Sequence, residues 1–320
     1  MYLKKIAESI RNNRYIIEKK EINPIVQYID KNSYKSVKIF TDIGEDSASI
    51  ENKEKLILIT TDRIRTEFIE NFPFGAGFSS ILVSIDDIYA CGGTPLAASI
   101  IISVKDLKTC NEILRGICEG SNKFQVPIIR GHTNVHSECF ELSSTMIGEI
   151  DKEDYISAGG AQENDNIILV VDFDGKIGKA NKLYYDTTTF KSSEEVLKKR
   201  KSMNVMAKSH LVNASKDISN GGIFGTLLQM IKYSKVGAEV NINKITIPPF
   251  LVENDYDLET YIKMYLTTSF ILTAPDYNCD KIIEIFRKHE MNAKIIGNII
   301  KEKNLLKIND GKESIDVIRF

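Results

Sequence analysis

Four short clusters within Asp42–Thr133 hold most of the chemistry this sequence can offer: Gly44-Glu45-Asp46, Thr60-Thr61-Asp62, Asp86-Asp87 and Gly131-His132-Thr133. Carboxylates gathered at strand ends suit Mg²⁺, a hard cation that takes a few protein oxygens and leaves the rest of its shell to water or substrate phosphates. Asp at such places also caps helices and closes turns, so each residue alone has a purely structural reading. Asp86 and Asp87 are harder to explain that way. They sit in an apolar run whose Phe78, Ile81, Leu82, Ile85, Ile88 and Tyr89 recur at helical spacing. A carboxylate there has poor helix propensity and a costly burial unless something neutralises it. Adjacent helix positions point about 100° apart, so only one of the two is expected to face a metal.

Other groups stay open to two readings. Arg63 and Arg65 follow Asp62 and, in an extended segment, point to the same side. They suit either an anionic group of a substrate or a surface ion pair. Asp186, followed by two threonines, is a substrate contact or a helix cap. His132 and His136 are four apart, but the residues between them do not read as a helix, which argues against a zinc pair. Lys198-Lys199-Arg200-Lys201 reads as a solvated helix face rather than a nucleic-acid patch. The five cysteines include no CxxC pair and read as reduced, mostly buried thiols. Neither Gly75-Ala76-Gly77 nor Gly159-Gly160 is followed by Lys-Ser/Thr, so a GxxxxGK[ST] loop is absent, as are GxSxG, HExxH and kinase catalytic-loop patterns. Nucleotide binding must use another scaffold.

The elements that position these groups can be traced along the chain. Residues 2–31 form a peripheral arm of two charged amphipathic helices, broken near Asn12-Asn13-Arg14 and again at Pro24. Strands are expected at Val37–Phe40 and Leu56–Ile59, a helix over Phe74–Gly92, a strand over Leu96–Val104 and a helix over Lys105–Lys123. Val126–Ile129 is a strand leading into Arg130-Gly131-His132-Thr133, and Glu141–Ile150 is another. A first α/β domain therefore covers 1–155, a polar segment at Ser157–Asn164 marks the boundary, and a second domain covers 156–320. Its expected elements are strands at Asn166–Val171, Ala238–Ile242, Ser269–Thr273 and Lys294–Ile299, with helices at Glu194–Leu211, Gly222–Tyr233 and Cys279–Lys288. Two domains also follow from 320 residues, since single cores stop growing near roughly 250–300. A net charge of −2, from 42 basic and 44 acidic residues, provides no global attraction for nucleic acid. No signal peptide and no apolar run of about 20 residues is visible, which points to a cytoplasmic protein with no membrane partner.

Taken in order, Gly44-Glu45-Asp46-Ser47-Ala48, Ile59-Thr60-Thr61-Asp62, the run Val83–Leu96, Arg130-Gly131-His132-Thr133 and Ser215–Ile223 resemble the PurM-like superfamily, and most closely its AIR synthase-related members. The superfamily includes aminoimidazole ribonucleotide synthase, thiamine-monophosphate kinase, selenophosphate synthetase and the hydrogenase-maturation dehydratase. The resemblance implies a two-domain α/β (α+β) fold whose N-terminal sheet pairs in a homodimer to close a shared β-barrel. It also implies an ATP- and Mg²⁺-dependent enzyme that phosphorylates, or activates by phosphorylation, an oxygen of a small-molecule acceptor. Asp46, Asp62 and Asp87 would hold the metal. Gly44, Thr61, Gly131, Thr133, Asp217, Gly221 and Gly222 would line the nucleotide cleft with them, the amides of the helix after Gly222 being open to an anion. Asp62, Asp87 and His132 would be catalytic; Arg63, Arg65 and Asp186, on the binding reading of their residue types, would meet the acceptor. His132 and Ser84 stand where thiamine-monophosphate kinase has Asp and Asn. They keep open an alternative, a nucleotide-binding regulatory or assembly dimer without turnover.

Overall fold

The computed structural model describes residues 2–41 and 43–319, so Asp42 lies outside the described residues. Two helices, α1 (Tyr2–Arg11) and α2 (Arg14–Asn32), come first, with Asn13 between them accepting from the Tyr15 amide as the cap of α2. Pro24 does not break α2. It deprives only the Lys20 carbonyl of a helical partner, and Lys20 is exposed, so water can take that place.

The first sheet is built from β1 (Ile39–Thr41), β2 (Ala48–Asn52), β3 (Lys55–Arg63), β4 (Thr94–Val104), β5 (Ile128–Val135) and β6 (Glu141–Asp151), in the order β1-β2-β3-β6-β4-β5. Every pairing is antiparallel except β4 with β5. Three helices join its strands: α3 (Thr66–Asn71), α4 (Pro73–Ala90) and α5 (Leu107–Phe124). The sheet is open. Within one chain β1 and β5 are its edges, and no closed barrel forms.

The second half adds β7 (Asn166–Val171), β8 (Lys176–Ile177), β9 (Tyr184–Asp186), α6 (Ser193–Ser209), β10 (Ala214–Asp217), α7 (Gly222–Ser234) and β11 (Gly237–Asn241). It continues with α8 (Pro249–Glu253), α9 (Leu258–Tyr261), β12 (Tyr265–Leu266), β13 (Ser269–Ala274), α10 (Asp276–Lys288), β14 (Asn292–Ile300), β15 (Leu305–Asn309) and β16 (Ser314–Arg319). Seven of these strands make a second sheet in the order β10-β13-β7-β14-β11-β15-β16, while β12, β9 and β8 form a small third one. The central strand β7 is apolar on both faces, and its two-residue period divides it cleanly. Ile168 and Val170 enter a core shared with α4, α5, α6 and α10, whereas Ile167, Leu169 and Val171 enter one shared with α7.

The first of these cores runs unbroken from β3 and α4 of the first sheet into the second, so one apolar body locks the two halves together. Although it precedes the first sheet in the chain, the arm belongs to the other core. Leu3, Ile6, Ala7, Ile10 and Ile16 are buried there, and Arg11 donates to the Val317 and Asp316 carbonyls on β16.

Candidate active site

The acidic cluster forms where α4, the β1–β2 loop and β10 meet. Asp46 lies in the loop, Asp87 on the last turn of α4, and Asp217 at the end of β10; carboxylate oxygens of the three lie within 4.8 Å of one another. The loop can approach only because residue 44 is glycine. Its φ is +99°, and a Cβ there would lie 2.3 Å from the Tyr233 ring of α7. Glu45 then ties the loop to the interdomain segment, accepting from Ser157 Oγ (2.6 Å) and the Ala158 amide (2.7 Å).

Asp62, at the end of β3, completes the group. It accepts from Ser84 Oγ at 2.8 Å and is hydrogen-bonded to Asp87, which also accepts from Thr60 Oγ1 at 2.5 Å. Two carboxyl groups bonded to each other must share a proton, and their acidities reflect this. Burial raises both, with Asp62 and Asp217 raising Asp87 further. Burial also pushes Asp217 up to about 6.

Two lysines answer these acids. Lys216 pairs with Asp46, whose other oxygen accepts from the Asp217 amide at 3.2 Å. Lys19, from α2, donates to Gln229 Oε1 at 2.7 Å with Asp87, Asp217 and Lys216 as electrostatic neighbours. Burial, then the nearby Lys216, pushes the Lys19 ammonium down to about 7. Neither lysine stood out in the sequence. Lys216 adjoins Asp217 in a strand buried on both faces, which is a signal; Lys19 is one of several lysines on a charged helix, which is not.

Asp86 faces away, as helical geometry requires of one member of the pair. It accepts from Arg200 Nε (2.8 Å), Arg200 Nη2 (3.3 Å) and the Thr268 amide (3.2 Å). Arg200 is fully buried and Lys199 nearly so, the latter donating to Asp172 at 2.6 Å, so only Lys198 and Lys201 belong to a solvated face. The reason is the interdomain position of α6, which turns one side of that basic run inward.

The remaining expectations divide. Gly221 and Gly222 form the turn into α7, where a Cβ on Gly222 would lie 2.1 Å from the Ile262 carbonyl oxygen. The first amides of α7 are not open to an anion: Gly222 donates to Ser219 and Ile223 to Ile262. Thr61 is exposed beside Thr145. Arg63 donates to Thr66, and Arg65 lies over the Tyr15 ring (5.2 Å) and 3.7 Å from Glu18. Asp186 is occupied by its own turn, accepting from the Thr188 and Thr189 amides. Gly131, His132 and Thr133 lie inside β5 rather than beyond a strand end. Across the sheet Asp62 aligns with Ser144, Ser144 with Ile100 and Ile100 with Gly131. Three strand spacings, about 14 Å, therefore separate β5 from Asp62 within one chain. His136 follows β5 at a φ of +66° and belongs to no group of three or more metal-binding side chains among the described residues.

These features define a two-domain mixed α/β protein with carboxylates gathered at the domain junction. The models of the AIR synthase related protein N-terminal and C-terminal domains match residues 44–150 and 175–306. The chain belongs to this family, which bears out the resemblance read from the motifs. An uncharacterised protein of Methanocaldococcus jannaschii is 36% identical over 100% of this chain and 98% of its own length. Thiamine-monophosphate kinase of Buchnera aphidicola is 26% identical over 93% of this chain and 97% of the kinase. Thermotoga maritima PurL complexed with ATP shares the fold at 13% identity and a TM-score of 0.70, over 84% of this chain and 45% of PurL. The chain thus spans about half the length of that protein.

Proposed function

We propose that this protein is a Mg-ATP-dependent enzyme that phosphorylates, or activates by phosphorylation, an oxygen of a small molecule. The observation that carries this reading is the meeting of Asp46, Asp87 and Asp217 within 4.8 Å. Oxygen ligands about 2.1 Å from a shared Mg²⁺ are at most about 4.2 Å apart, so a small closure of the trio fits the ion. Asp217, expected from the motifs as a nucleotide contact, takes the place in the trio that the motifs assigned to Asp62. Asp62 acts on the trio through its hydrogen bond to Asp87, holding that carboxylate in orientation. When bound, the ion supplies charge neutralisation for the phosphates. Lys216 holds Asp46 in place, and Glu45 fixes the loop that carries it. Relatives that include a thiamine-monophosphate kinase, and a shared fold with PurL complexed with ATP, support the same class of chemistry.

The acceptor enters beside Arg63 and Arg65, whose exposed guanidinium groups suit an anionic substituent. The protein acts as a homodimer in the cytoplasm. Both faces of β5 are exposed, with Ile129 66% accessible, as an edge awaiting a second sheet would be. No described helix is long and apolar enough to cross a membrane. The separation of His132 from the acidic cluster favours a second reading, in which the dimer binds nucleotide for regulation or assembly without turnover. Calorimetric titration with ATP and Mg²⁺ decides the first point: no heat at millimolar ATP sinks both readings. ADP release during incubation with phosphate-accepting metabolites separates them, since binding without release favours the regulatory dimer.

A further inference from the structure

We infer that Lys19 is a phosphate-contacting residue of the nucleotide site, delivered by a helical arm that neither family domain includes. The inference rests on the nucleotide reading above and adds a residue to it. The matched domains begin at residue 44, yet α2 lies across the glycine turn that opens α7. From the position a Cβ would occupy on Gly221, Tyr15 Cβ is 3.6 Å away and Ile16 Cγ1 3.7 Å; from that on Gly225, Lys19 Nζ is 3.8 Å away. The backbone there can be approached this closely because it carries no side chains. The same helix is fastened to the other half of the protein by Tyr15 and Glu18, both at Arg65. The arm therefore bridges the two sides of the acidic cluster.

The charge arrangement says what Lys19 is for. Metal-bound phosphates need positive charge on the side away from the ion, and the first two amides of α7 already donate to carbonyls. Lys216 is engaged by the Asp46 carboxylate. Lys19 is held instead by a neutral amide, Gln229, within electrostatic reach of Asp87 and Asp217. An ammonium group anchored by a neutral partner within reach of candidate metal ligands can turn to an anion without breaking an ion pair. The competing role is a counter-ion, in which Lys19 only offsets the repulsion among the carboxylates.

Lys19→Met keeps the length and the apolar stem while removing the charge; Lys19→Arg keeps the charge. Each is compared with the wild type by titration with ATP, tripolyphosphate and adenosine, in Mg²⁺ and in EDTA. The expected result is at least about tenfold weaker ATP and tripolyphosphate binding in Lys19→Met, unchanged adenosine binding, and substantial recovery in Lys19→Arg. Wild-type ATP affinity in Lys19→Met overturns the inference and leaves the nucleotide reading standing. A wild-type protein that binds neither ATP nor tripolyphosphate overturns both. Should Lys19→Met not fold, reductive methylation of the wild-type protein gives the answer by mass spectrometry: ATP should protect Lys19, and equal labelling with and without ATP overturns the assignment.

Discussion

Asp86 and Asp87 are neighbours on one helix, yet they occupy opposite electrostatic settings. Asp86 meets a buried guanidinium through both oxygens and a backbone amide besides, and its partner Arg200 also lies 4.9 Å from the Phe124 ring centroid. Asp87 meets a threonine hydroxyl and the Asp62 carboxyl group, with the Asp46 and Asp217 carboxylates nearby. The first setting joins α4 to α6 and the domains to each other. The second keeps like charges together, which weakens the fold and is the pattern of a site that receives positive charge. A carboxylate's burial alone therefore does not reveal its role; the charge of what surrounds it does.

The contrast can be broken most severely at its structural end. Arg200→Met leaves Asp86 buried without a counter-charge and should cost about 3–5 kcal/mol in denaturant-induced unfolding. A loss below about 1 kcal/mol would show that the clamp does not hold the domains. Asp87→Asn should act in the other direction. In EDTA at pH 7 the variant is expected to gain roughly 1–2 kcal/mol, because an amide, unlike the Asp87 carboxyl, needs no proton to sit among the other acids, while Mg-dependent ATP binding is lost. Reduced stability of this variant would contradict the like-charge account.

The pH dependence sharpens the same point. Asp62, Asp87 and Asp217 all hold their protons more tightly when folded than in the unfolded chain, where carboxylates titrate near 4. Their protonated forms stabilise the fold fully below that value, and this contribution declines as pH rises through the folded values, for Asp217 about 6. Thermal unfolding in EDTA should therefore show the advantage of Asp87→Asn absent near pH 4 and growing toward pH 7. A constant difference across that range would exclude titration as its cause. The smallest effect is expected at Glu45→Gln, which weakens the bonds to Ser157 and Ala158 by about 1 kcal/mol and should lower ATP affinity only slightly. A loss of binding as large as that of Asp87→Asn would place Glu45 in the site itself.

Much of the fold follows from local patterns. The apolar periodicity of α4, the alternating burial along β6 and the continuous apolar run of β7 each reflect contacts whose period the chain itself carries. β10 escaped that reading because Ala214-Ser215-Lys216-Asp217 is polar in composition yet buried throughout. Its lysine and the Asp217 amide both meet Asp46 of the β1–β2 loop, 170 and 171 residues away. The arm was legible as two helices, but its place was not. The residues that recognise it, such as Gln229 at a separation of 210, lie in the other half of the chain.

For the candidate site, residue types and order along the chain were enough to indicate a family and a gathering of carboxylates, because motif spacing is a property of one dimension. Helical geometry added that Asp86 and Asp87 diverge. Which of them meets the other acids, that Asp217 comes within 4.8 Å of Asp46 and Asp87 while Asp62 reaches Asp87 by a hydrogen bond, and that Lys19 faces the group from an arm outside both family domains depended on how the sheets and helices pack. Ionic neighbours in a protein are chosen by distance through space, and distance along the chain carries almost no information about it.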